Sequence, residues 1–222
     1  NDEVISWVHN AVVPLKSMGA STMTWRTIEA GIRIGQTWFP AYFYFLPSPS
    51  FTIETRILFF KSVLEHARFL RQFPSGGNWL TMELNGLAHA AILLPEFKEA
   101  GEWRDYVFTR LAKELTAQVY PDGAQKELTM SYHNVALRNM LIPVRLAKLN
   151  NVILPETYLR DFEKMFIYDM YLLKPNNGLP AFNDSNTSEH PRAKTNKSTL
   201  DLLQSGAGLF NRQDMLYLAT EG

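Results

Sequence analysis

From Trp103 the apolar residues Val107, Leu111, Leu115 and Val119 recur at every fourth position, while Arg104, Lys113 and Glu114 fall on the other side. That spacing turns one stripe toward a core and predicts a helix over 99–119. Pro121-Asp122-Gly123 closes it with strong turn chemistry. The same reading gives helices over 55–72, 78–94, 131–149 and 156–172. Each boundary carries breakers: Phe73-Pro74-Ser75-Gly76-Gly77, Pro95, Asn150-Asn151 ahead of Pro155, and Pro175-Asn176-Asn177-Gly178. No stretch alternates convincingly with period two, so the expected class is all-α.

Short connections make consecutive helices antiparallel. The helices that begin near Asn78 and Tyr132 are separated by one helix of opposite direction, so their N-termini are expected on one rim of the bundle. Two stretches read as departures from helix. Residues 38–47 hold six aromatics among prolines, either as a buried connector or as a wall on which sugar rings stack. Residues 183–199 are polar and read as a long surface loop, for binding or simply mobile.

Composition narrows the function. Apolar residues make up 46% and charged residues 20% of the 222, ordinary for one globular domain. Lys+Arg and Asp+Glu both number 22, which leaves no electrostatic footprint for a nucleic-acid partner. The best candidate for a membrane span, Ala90-Ala91-Ile92-Leu93-Leu94, stops at Pro95, far short of the ~20 residues of a membrane helix. With no cysteine, thiolate metal sites and cysteine nucleophiles are excluded. The histidines His9, His66, His89, His133 and His190 are scattered, so no metal is expected. No nucleophile elbow or phosphate loop is present: Gly76-Gly77 lacks the lysine that a phosphate cradle requires. The acidic residues single out no glycosidase pair.

What remains is Gly76-Gly77-Asn78-Trp79 opening one helix and Ser131-Tyr132-His133-Asn134 opening another. On the residues alone, Asn78 reads as an N-cap, Tyr132 as a packing residue and His133 as a surface or hydrogen-bonding histidine.

Several motifs fall in one register. Gly77-Asn78-Trp79, Glu83, Leu94-Pro95-Glu96-Phe97-Lys98-Glu99-Ala100 and Trp103-Arg104 are followed by Gln118-Val119-Tyr120-Pro121-Asp122-Gly123, Glu127 and Tyr132-His133. Thr24-Trp25-Arg26-Thr27-Ile28-Glu29-Ala30-Gly31-Ile32-Arg33 precedes them and Leu179-Pro180-Ala181-Phe182-Asn183-Asp184-Ser185 follows. Together these resemble the N-terminal helical domain of heparinase II/III-type polysaccharide lyases.

The resemblance implies an incomplete (α/α) toroid of antiparallel helix hairpins, followed in the same chain by a β-sandwich domain that completes the cleft. The sequence opens at Asn1 and ends at Glu221-Gly222, about where that sandwich is expected, so a toroid fragment is anticipated. The implied reaction is β-elimination on a uronic-acid-containing polysaccharide, in the periplasm or outside the cell, without a cofactor. Asn78 would neutralise the sugar carboxylate and Tyr132 would carry the proton, with His133 or Arg26 lowering the barrier to its ionisation. Trp79, Glu83, Arg26, Glu127 and Asp184 are the implied substrate-binding residues; the alternatives are that Glu83 orients Asn78 and that Arg26 pairs with a motif glutamate. Several family members have histidine after the asparagine, where this chain has Trp79. Zero net charge argues against a highly sulfated substrate, with Arg192, Lys194 and Lys197 as local exceptions. Two alternatives stand: a toroid glycoside hydrolase working through two carboxylic acids, and a sugar-binding toroid without turnover.

Overall fold

A computed structural model describes residues 1–15, 23–185 and 197–220, the side chain of Lys197 excepted. Arg192, Lys194 and His190, named above, lie outside these residues. The described elements are helices: α1 Asp2–Asn10, α2 Thr27–Ile32, a π-helical segment Arg33–Trp38, α3 Phe39–Phe45, α4 Ile53–Gln72, α5 Gly77–Leu93, α6 Ala100–Gln118, α7 Met130–Leu149, α8 Glu156–Leu172, α9 Lys197–Phe210 and α10 Gln213–Thr220. The only extended pairing among them is the isolated antiparallel bridge Val119–Gln125.

All five helices expected from periodicity are present, with ends shifted by one or two residues. Two expectations are corrected. Residues 38–47 are not an irregular connector: they run from the π-helical segment through α3, with Pro40 in the first turn, where a proline costs least. Of the stretch 183–199 expected as loop, residues 197–199 are helical, because α9 begins at Lys197, while 186–196 lie outside the described residues.

The chain divides into two compact units, residues 1–111 with 142–152, and residues 112–141 with 153–222; two boundaries fall inside α6 and α7 and the third between α7 and α8. In the first unit α5 is buried along most of its length, and α2, the π-helical segment and α4 all pack on it. The contact with α2 is backbone against backbone. A Cβ at Gly86 would lie 2.5 Å from the Gly31 carbonyl oxygen, and one at Gly31 would lie 2.7 Å from Glu83 Cα. Gly86→Ala is therefore expected to cost about 3 kcal/mol, read by denaturant unfolding. An unchanged midpoint would contradict this packing.

An aromatic hub closes the other side of this unit. The Arg33 guanidinium sits 4.2 Å from the Trp7 ring centroid, donates to His66 Nε2 at 2.8 Å and to the Thr24 carbonyl at 2.7 Å. His66 Nδ1 in turn donates to the Ser62 carbonyl at 2.7 Å. Burial holds His66 neutral, lowering it to about 3, and lowers Arg33 to about 10.

In the second unit α8 supplies the core through Phe162, Met165 and Phe166. The Pro121-Asp122-Gly123 turn is pressed against it. Gly123 has φ +96°, and an added Cβ would lie 2.1 Å from the Lys164 carbonyl oxygen, so only glycine fits. The returning strand is tied by Tyr120 N–H to the Ala124 carbonyl at 2.8 Å and Lys126 N–H to the Gln118 carbonyl at 2.9 Å.

Candidate functional site

Asn78 stands at the second position of α5. Gly76 is the N-cap and Gly77, at φ +62°, turns the chain into the helix, so the expected N-cap role of Asn78 is corrected. Its side chain is nearly buried at 7% exposure, and Oδ1 accepts from the Thr81 hydroxyl at 3.3 Å. One residue on, Trp79 is exposed at 39% and lies under the Arg26 guanidinium, 5.2 Å from Cζ to the ring centroid.

Arg26 takes the internal option. Its Nε donates to Glu29 Oε2 at 2.6 Å and its Nη2 to Oε1, a bidentate pair that raises the guanidinium and lowers the carboxyl. The partner is the glutamate three residues on in the same motif, the spacing at which side chains meet on one helix face.

Glu83 does not reach Asn78 in the described hydrogen bonds. Five residues of helix rotate a side chain by about 140° from the first, so the two face different directions. Glu83 is instead enclosed at 2% exposure, and its Oε2 accepts from the Ser75 N–H at 2.9 Å.

In the second unit Thr129 caps α7, its hydroxyl accepting from the Tyr132 N–H at 3.1 Å. Tyr132 is 38% exposed. The groups acting on its phenol are carboxylates: Asp184 as a charge and hydrogen-bond acceptor, and Glu127 as a charge. Together they raise it above the ordinary phenol value. The Asp184 corner is brought there by Asn183, whose amide donates to the Leu128 carbonyl at 2.5 Å. Glu127 is itself tied to Gln125, its N–H donating to the Gln125 side-chain oxygen at 2.8 Å.

His133 points inward rather than toward the phenol. It is 1% exposed, its Nδ1 accepts from the Gln125 N–H at 3.3 Å, and Nε2 donates to the Met165 carbonyl at 3.2 Å. Burial lowers it to about 4, so it is a neutral anchor that ties the 121–127 turn and α8 to α7. Behind it lies Asp169, fully buried, with its carboxyl raised well above the usual range by desolvation. With its amide oriented to satisfy both neighbours, Asn134 donates to Asp169 Oδ2 at 2.7 Å and accepts from the Thr199 hydroxyl at 2.9 Å.

The two buried histidines give a pH prediction. His66 and His133 stay neutral in the folded chain down to about 3 and about 4, whereas the unfolded chain protonates them near 6.5. At these two sites the unfolded state binds more protons below that value, so their contribution to stability falls as pH drops from 6.5 toward 4, while the raised carboxyls of Asp169 and Glu83 act in the opposite sense. Each histidine contributes up to about 1.4 kcal/mol per pH unit. Denaturant midpoints at pH 7 and pH 5 for the parent and for His66→Gln check this: the variant is expected to lose less stability at pH 5 than the parent, and an equal loss in both contradicts it.

Sequence reasoning missed Thr27, Ser75, Thr129 and Asp169. The threonine directly before α7 was a readable capping signal; the burial of Asp169 depends on packing between distant segments and had no local mark.

Residues 3–213 match the Heparinase II/III N-terminus family, and the chain belongs to it. It is 32% identical over 191 residues to a heparin-sulfate lyase of Bacteroides thetaiotaomicron, covering 81% of this chain and 27% of that protein. It is 31% identical over 202 residues to a heparin-sulfate lyase of Bacteroides stercoris, covering 89% of this chain and 29% of that protein. The chain thus spans under a third of the length of these relatives. Among solved structures, heparinase III superimposes with a TM-score of 0.85 at 29% identity, covering all of this chain and 34% of that one. A mutant of the heparan sulfate lyase HepC from Pedobacter heparinus gives 0.76 at 27% identity, with 100% and 34% covered. The expected (α/α) toroid class is that of the helical domain of these heparinases.

Proposed function

We propose that this chain is the helical domain of a polysaccharide lyase that cleaves a uronic-acid-containing chain by β-elimination. The observation that carries the reading is its membership of the heparinase II/III family with Asn78 and Tyr132 each in the first turn of a long helix. The names of the relatives favour a glycosaminoglycan over alginate. Export to the periplasm or cell surface, where such polymers are met, belongs to the same proposal, as does a β-sandwich domain completing the cleft.

The chemistry explains why an amide and a phenol suffice. The proton removed is α to the uronate carboxylate, so its loss builds a second negative charge beside the first. Donation from the Asn78 amide, close to the N-terminus of α5, stabilises that developing dianion. The C–H electrons form the new double bond, the bond to the departing sugar oxygen breaks, and that oxygen takes up a proton. Tyr132, once ionised, takes the proton from carbon and returns it to that oxygen, so the side chain ends the cycle, after release of product, as it began. The carboxylates beside the phenol oppose this ionisation, so groups brought by substrate or by the rest of the complete protein must favour it. Asp184 and Glu127 act on the tyrosine in this account, while Trp79, backed by Arg26, offers its exposed face to a sugar ring.

The test is spectroscopic. The complete protein, incubated with a panel of uronate polymers, is expected to generate the ultraviolet absorbance of an unsaturated uronide. New reducing ends without that absorbance would mean hydrolysis. Binding without cleavage of any polymer would mean a non-catalytic toroid.

A further inference from the structure

The carboxyl group of Glu83 is enclosed beneath the turn that presents Asn78. Oε2 accepts from the Ser75 N–H at 2.9 Å, the last residue before Gly76-Gly77. The Ser75 and Thr27 side chains also bear on this carboxyl, each lowering it against the larger effect of burial. Oε1 is buried without a hydrogen bond of normal geometry, as is the Ser75 hydroxyl, and among the described residues Glu83 forms no ion pair. The backbone of α2 is pressed against the same residue, since a Cβ on Gly31 would lie 2.7 Å from Glu83 Cα. On the outer side of the turn, Arg26 of the same segment lies over Trp79. Gly76 and Gly77 have open space where side chains would be and resist little by themselves, so the direction of Asn78 must be set by what grips the turn.

We propose that Glu83 is a positioning residue for Asn78: a buried clamp that fixes the Ser75–Gly77 turn through the Ser75 amide and braces it on α2. This rests on the lyase reading for its effect on turnover, but the clamp itself is a statement about the turn. Glu83 has no exposed edge for substrate, and burial raises its carboxyl above the usual range. Glutamine has the same shape and keeps an acceptor for Ser75, so the clamp requires that amide and acid be interchangeable here. A proton-transferring or charge-pairing Glu83 requires the opposite.

Glu83→Ala and Glu83→Gln in the complete protein separate these cases, with two readouts: steady-state elimination, and hydrogen–deuterium exchange of peptides covering 73–80. Glu83→Ala is expected to lower kcat about 10²-fold, the scale set by displacing a catalytic group by about an ångström, with little change in KM. Exchange at 73–80 is expected to rise in the same variant. Glu83→Gln should restore both to near the parent values. Loss of kcat in Glu83→Gln equal to that in Glu83→Ala would overturn the clamp, as would unaltered exchange at 73–80 in Glu83→Ala. If the parent protein forms no unsaturated product, the lyase reading fails, yet the exchange measurement still decides whether Glu83 grips the turn.

Discussion

Tyr132→Phe in the complete protein is expected to abolish formation of unsaturated uronide, with kcat down about 10³-fold or more and substrate affinity within several-fold of the parent. The size follows from the job assigned: a residue that moves the proton in the transition state contributes about 10²–10⁴-fold. Near Tyr132 the acting groups are the Asp184 and Glu127 carboxylates, and His133 is committed to Gln125 and Met165. Removing one oxygen atom from a side chain that is 38% exposed leaves packing nearly unchanged, so a thermal midpoint close to the parent is part of the same prediction. Retained turnover would reject Tyr132 as proton carrier.

Asn78→Ala carries the second large effect. Losing one preorganised donor to a developing anion costs about 10²–10³-fold in kcat. The structural cost is smaller, because Gly76 and not Asn78 caps α5, and the described side-chain bond of Asn78 is a single contact with the Thr81 hydroxyl. A fall in stability with kcat preserved would show that Asn78 serves only the helix.

The sequence made the long helices legible because each carries its own period of apolar residues between strong breakers, as in Trp103 to Val119. The short ones escaped it. α2 has six residues and owes its stability to the glycine-mediated approach to α5, a contact between segments some fifty positions apart. The aromatic run at 38–47 argued against helix by propensity, yet burial of Phe39 and stacking of Tyr42 on Phe59 override that preference. At the candidate groups, the family resemblance pointed to Asn78 and Tyr132, and the sequence reading offered the pairing of Arg26 with a motif glutamate that Glu29 supplies. That Glu83 holds Ser75 and that the groups acting on Tyr132 are carboxylates depend on side-chain directions that no linear pattern encodes.

The most direct test of the central claim is a crystal structure of the complete protein, as the Tyr132→Phe variant, with a uronate oligosaccharide bound. The account predicts one sugar carboxylate within about 3 Å of the Asn78 amide nitrogen, with the ring of residue 132 facing the α-carbon and the bridging oxygen of that same sugar. An oligosaccharide bound with its carboxylate away from Asn78, or with residue 132 out of reach of the scissile bond, would contradict it.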